Sequence, residues 1–159
     1  MCDSIQVVPI NETNNSLIQL VLGQYVSQCK HLVRFQYGKY QISRASHIII
    51  ATSSTTSRHG GKRTKVCGFL LYQQRPRFGY IDVVCSSNRY GSRLIQRAEQ
   101  LTQQLGLPYI QLSALNHVIP YYTQKGYRQV DNPCIQANNN HIRRKGSNVN
   151  GWRMTKCLT

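Results

Sequence analysis

Acidic side chains are scarce in this sequence. Lysine and arginine total 20 against five aspartates and glutamates, a formal charge of +15 over 159 residues. Such a surface repels polyamines and basic tails and attracts polyanions through its long-range field. A catalytic carboxylate has few candidates. Asp3, Glu12 and Asp131 lie near chain ends or turns and Glu99 falls on a helix, which leaves Asp82 on a central strand. No CxxC pair occurs among the six cysteines, and no apolar run is long enough for a signal peptide or a membrane span. The expectation is a reduced, intracellular (cytoplasmic or nuclear) protein. The five histidines share no metal-ligand spacing with each other or with the cysteines, so no metal is expected. There is no internal repeat and no linker. Residues 1–159 therefore read as a single domain, long enough to bury a core without metals or disulfides.

The cations are spread through the chain, at Lys30, Arg34, Lys62, Arg63, Lys65, Arg75, Arg77, Arg143, Arg144 and Lys145. They form either a solvated basic face or a surface for nucleic acid or another acidic partner. Residues 4–10 alternate as a first strand, and the periodicity of Leu17, Leu20, Val21 and Tyr25 predicts a helix over 15–29. Residues 30–46 are basic and tyrosine-rich, a candidate wall of a substrate groove. Ile48, Ile49 and Ile50 mark a buried strand over 47–52, and 55–65 reads as a mobile basic loop. Two further strands, 66–73 and 79–85, flank a hairpin connection. Leu94, Ile95, Ala98, Leu101 and Leu105 then share one face of a helix that Gly106 and Pro108 end. A strand over 109–114 follows. After it comes a short helix that Asn116 can cap, with Pro120 in its first turn and Gly126 at its end. Residues 127–130 and 152–158 read as strands on either side of an asparagine-rich excursion over 132–148.

Two stretches carry the chemistry. Ile81, Val83 and Val84 run into Cys85-Ser86-Ser87, and a helix pattern opens at Tyr90-Gly91-Ser92. A strand feeding a helix start aims unpaired amides and the positive end of the helix dipole at one loop, which makes a phosphate site. The second stretch is L-N-H-V-I-P-Y-Y-T-Q-K-G-Y, residues 115–127. Together with the element order, these stretches resemble the GNAT superfamily of N-acetyltransferases over roughly residues 65–128. The resemblance implies an α/β (α+β) fold with a mixed, mostly antiparallel sheet of six to seven strands. About four helices flank that sheet, which is splayed between strands four and five. It also implies acetyl-CoA as cosubstrate, with acetyl passed directly to an attacking amine.

By that resemblance, Val83, Val84 and Cys85 offer backbone groups to the pantetheine and the thioester. Arg89, Tyr90, Gly91, Ser92 and Arg93 surround the pyrophosphate. The family's Q/R-x-x-G-x-G/A loop is only partly matched. Gly91 takes the last glycine, whereas Arg89 stands at the first and Ser86 at the Q/R position. The loop is altered or shortened, and Arg89 either places a guanidinium on the phosphate or obstructs it. The second stretch looks like the family's L-N-x-x-A-x-x-F-Y-x-x-x-G-F. It puts Tyr122 at the thiolate-protonating position and Tyr121 in the core, while Asn116 contacts pantetheine or caps the helix. A phenol at its usual pKa of about 10 keeps its proton at neutral pH. Asp82 is a candidate base or a structural acid paired with an arginine; Ser113, His117, a water chain or a backbone carbonyl are alternatives to it. The acceptor is then an acidic or neutral peptide terminus, a small amine, or an amine on nucleic acid. A second function class is a GNAT scaffold without catalysis, serving a nucleic-acid-binding or structural role.

Overall fold

A computed structural model of the chain describes residues 4–29, 44–86, 90–135, 147–148 and 151–159. The supposed groove wall at 30–43, Arg89 and most of the asparagine-rich excursion lie outside the described residues. The elements are β1 (Ser4–Pro9), α1 (Asn15–Gln28), β2 (His47–Thr56), β3 (Lys62–Gln74), β4 (Phe78–Ser86), α2 (Tyr90–Gln104), β5 (Tyr109–Ala114), α3 (Ile119–Gln124), β6 (Ser147–Asn148) and β7 (Gly151–Cys157). Strands follow the order β1-β2-β3-β4-β5-β7-β6 in one seven-stranded sheet. The β1-β2, β2-β3, β5-β7 and β6-β7 ladders are antiparallel. Only a crossover makes neighbours run parallel, and α2 supplies one between β4 and β5.

The chain forms two compact units, the first Met1–Gln73 with Asp82–Ala98, the second Gln74–Ile81 with Glu99–Thr159. In the first, the register sets Ile48 opposite Leu71 and Ile50 opposite Phe69. These four join Val8, Ile18, Val21, Val83 and Cys85 in one buried cluster. Ile49 and Leu70, pointing to the other side of their strands, are also fully buried. Two-sided burial is why β2 carries three isoleucines in a row, with no polar residue between them. In the second unit, Ile110, Leu112 and Ala114 of β5 and Met154 of β7 are buried, whereas Gln111 and Ser113 alternate outward.

Several expectations change. The basic stretch at 55–65 is mostly strand: β2 runs on to Thr56, β3 begins at Lys62, and a tight turn closes between Ser57 and Gly61. Gly60 takes φ +80° there, which a side chain would strain. No strand forms over 127–130; Arg128 makes a single bridge to Thr155 and β7 takes its edge partner from β6 instead. The thiols are not reduced. Cys29 bonds Cys85 within the first unit, Cys134 bonds Cys157 within the second, and Cys67 is also disulfide-bonded. Their Cα separations of 6.2 and 4.9 Å are ordinary for disulfides. Sequence spacing hides such pairs because proximity in the fold decides them. Among the described residues no helix is long and apolar enough to cross a membrane.

One glycine fixes how β3 meets the end of β4. A Cβ at Gly68 would stand 2.7 Å from the Ser86 Cβ and 2.9 Å from the Cys85 carbonyl oxygen, both backbone-borne and unable to swing away. Gly68→Ala should therefore destabilise the protein by about 1–3 kcal/mol, the usual cost of overpacking. Urea unfolding checks this, and a variant as stable as the parent would show that β4 yields freely.

Candidate active site

In the first unit, the expected coenzyme residues form a strand end and a helix start. Val83 and Cys85 are buried, and Val84 is half-buried. Cys85 is held by its disulfide to the residue that follows α1. Tyr90, Gly91 and Ser92 occupy the first turn of α2, with Arg93 exposed behind them. That first turn holds no acid of its own, and an acid there is what would counter the positive end of a helix. Gly91 packs so closely that a Cβ there would lie 3.1 Å from the Ser86 Oγ. The family-matched glycine thus sits in close contact with the Ser86 side chain at the strand end. Burial of Leu94, Ile95 and Ala98 fixes the face of α2 that turns away from solvent. Asp82 accepts a 2.8 Å hydrogen bond from Nε2 of the buried Gln73. A glutamine amide is thus one structural partner of this acid.

In the second unit, α3 stops at a glycine turn that orients Tyr122. Gly126 adopts φ +88°, and the chain doubles back so that the Tyr127 amide donates to the Tyr122 carbonyl at 3.1 Å. The Tyr122 ring packs edge-on against Tyr127 at 5.6 Å and against Tyr121 at 5.1 Å. Tyr127, not Tyr121, fills the core. Tyr121 is 39% exposed with the Lys125 ammonium over its ring, because a six-residue helix at the surface can bury only one side. Tyr127 in turn donates to Glu99 Oε1 at 3.0 Å, and Lys156 reaches both Glu99 oxygens at 3.1 Å. Apart from the Gly-aromatic pair that ends the motif, no local pattern points to this network.

Asn116 does not cap the helix. It opens a 3-10 turn whose N-cap is Leu115, without a side-chain cap bond. Its Oδ1 instead accepts the indole N–H of Trp152. The register explains the pairing, since Trp152 lies opposite Ala114 only two residues upstream. His117 is exposed, and Ser113 Oγ lies 3.3 Å from the Tyr80 hydroxyl. The parallel ladder that brings these strands together spans Phe78↔Tyr109 to Ile81↔Leu112.

No family model matches the chain, and no curated protein does. Solved structures do. Tetrahymena GCN5 superposes with a TM-score of 0.66 at 16% identity, over 99% of this chain and 97% of that one. A chain of the NatC complex bound to Gag peptide and CoA gives 0.62 at 14%, over 99% and 100%. PaiA N-acetyltransferase from Thermoplasma acidophilum, in complex with coenzyme A, gives 0.55 at 12%, over 98% and 99%. The fold is that of the GNAT acetyltransferases. The GNAT-like order expected from the two stretches is therefore present, with a strand ending at Ser86, a helix opening at Tyr90 and a tyrosine helix over Ile119–Gln124.

Burial pushes the Tyr122 phenol up to about 12, with Tyr121 adding to the effect. Burial and then Glu99 hold Tyr127 higher still. Both folded-state values exceed the unfolded one of about 10, so their contribution to stability is fully present below about pH 10 and is lost as pH rises through the folded values. Stability should thus fall above about pH 10, with a tyrosinate absorbance step that coincides with unfolding. All ten tyrosines titrating freely near pH 10, about the unperturbed value, in a folded protein would contradict that burial.

Proposed function

We propose that this protein transfers acetyl from acetyl-CoA to an amine, with Tyr122 as the general acid. In this reading the first turn of α2, from Tyr90 to Arg93, and the neighbouring Arg89 receive the pyrophosphate. Val83, Val84 and Cys85 give backbone hydrogen bonds to the pantetheine and the thioester. The amine nitrogen attacks the acetyl carbon, the C–S bond breaks, and the sulfur leaves as a thiolate that takes the Tyr122 proton. The amine's own surplus proton passes to a base, for which Asp82 is the nearest acid in sequence to these residues. A hydrogen bond from Gln73 to its Oδ2 fixes the orientation of the carboxyl group.

The observation that carries this reading is the Tyr122 phenol. It is anchored at its carbonyl by a glycine turn and kept protonated by burial, in a chain whose fold is that of acetyltransferases. Support for the coenzyme comes from the acid-free first turn of α2 and from fold neighbours bound to coenzyme A. The +15 charge favours an acceptor that is neutral or acidic around its amine, such as a peptide terminus or a small amine.

Acetyl-CoA should raise the melting temperature by mass action, and Tyr122→Phe should leave that shift intact while lowering turnover by about 100- to 10,000-fold. The phenylalanine keeps the ring and its packing and removes only the proton. Thermal melts with acetyl-CoA, followed by thiol release with a panel of amines, measure both. Lack of any shift at saturating ligand would end the coenzyme assignment, and full turnover in the variant would return Tyr122 to a packing role.

A further inference from the structure

The β2–β3 hairpin ends in an arm that the proposed acetyl transfer does not use. Beyond Ser53, both strands leave the core: residues 54–56 and 58–65 are exposed, and the ladder continues as Ser54↔Thr64, Thr55↔Arg63 and Thr56↔Lys62 to the turn at Gly60. The arm carries Arg58, Lys62, Arg63 and Lys65, with His59 at its tip. Every other side chain on it is a serine or threonine, and the turn is two glycines. The chain has no acidic residue anywhere between Glu12 and Asp82, so no carboxylate close in sequence neutralises these cations. An exposed two-stranded ribbon of this composition has nothing apolar with which to bind a protein partner. What it offers is charge and hydroxyl donors.

We infer that this arm binds duplex DNA, its four lysine and arginine side chains and its interleaved hydroxyls engaging the phosphate backbone. Three features favour that partner over an acidic peptide or RNA. Lysine, arginine, serine and threonine side chains all bond phosphate oxygens, and a duplex presents those oxygens in two regular rows that a flexible acidic peptide lacks. Alternation places Arg63 and Lys65 on one face of the ribbon and Lys62 and Thr64 on the other, so two lines of phosphate can be met at once. A two-stranded ribbon fits the major groove of B-form DNA, about 12 Å wide, whereas the deep, narrow major groove of A-form RNA excludes it. The turn, with Arg58, His59 and Gly60, enters first.

The experiment is fluorescence anisotropy with a labelled mixed-sequence DNA duplex of about 20 base pairs, read across a salt series. Neutralising four phosphates gives a slope of about −3.6 in log affinity against log salt, or roughly a 150-fold loss between about 50 and 200 mM. Replacing Arg58, Lys62, Arg63 and Lys65 together by glutamine should remove that component, while the exchange Lys62→Arg with Arg63→Lys should keep it. Melting temperature and the acetyl-CoA-induced shift should stay at parental values in both variants, so loss of DNA binding is separable from failure of the coenzyme reading. Undetectable binding at low salt overturns the inference, as does an unchanged slope in the glutamine variant, which would assign binding to the rest of the basic surface. Equal, arm-dependent affinity for polyglutamate or for duplex RNA also overturns it, since the arm would then be a general polyanion surface.

Discussion

A single carboxylate, Glu99, organises the second unit. It is one of five acids in the chain, only 15% exposed, and it satisfies a lysine from β7 and a phenol from the turn after α3 at the same time. A buried carboxylate needs hydrogen-bond partners, and here a phenol and an ammonium supply them. The consequence reaches Tyr122. Tyr127 can fill the core with a hydroxyl attached only because Glu99 accepts its proton, and Tyr127 supplies both the amide and the ring against which Tyr122 is set. The surface pair Arg153–Asp131, 3.2 Å apart with both side chains about half exposed, does no comparable work.

In the first unit the equivalent constraint is steric. Gly68 lets β3 lie against Cys85 and Ser86, Gly91 lets the first turn of α2 lie against Ser86, and the Cys29–Cys85 disulfide fixes the same strand end from the α1 side. Three unrelated contacts thus converge on two residues at the end of β4. A strand end held in this way can present its backbone to a ligand without rearranging, which lowers the ordering cost of binding.

Periodicity made most of this legible. The apolar face of α2, the 109–114 strand and the tyrosine helix emerged with nearly their observed bounds, because each is punctuated by glycine or proline and the first two bury one clean face. Polar strands did not emerge. The arm at 54–65 has no buried face, so neither of its strands carries an apolar alternation, and its glycines made the whole stretch resemble a loop. Conversely, 127–130 had strand composition but lost its ladder to a two-residue partner from a distant segment. Side-chain partners were the least visible part. Asn116 with Trp152, Gln73 with Asp82, and the cysteine pairs all depend on register across the sheet, which no local window contains.

The acid shortage also bears on the acidity of Tyr122. A phenol at about 12 facing a thiolate whose thiol has a pKa of about 8.5 would give up its proton uphill by 3 to 4 units, roughly 4–5 kcal/mol. That mismatch would disable an acid if it were intrinsic. The causes of the shift show that it is not: burial comes first and a neighbouring tyrosine second, with no carboxylate among them. Desolvation acts on any anion formed in the same place, so a thiolate brought beside Tyr122 has its own pKa raised too, and the gap narrows. The +15 field of the chain lowers both anions together without separating them. A nearby carboxylate would have raised the cost of either anion through an uncompensated Coulomb term. Glu99 bears on Tyr127 and is not among the causes that raise Tyr122, so in the proposed reaction no carboxylate adds to the cost of donation from Tyr122.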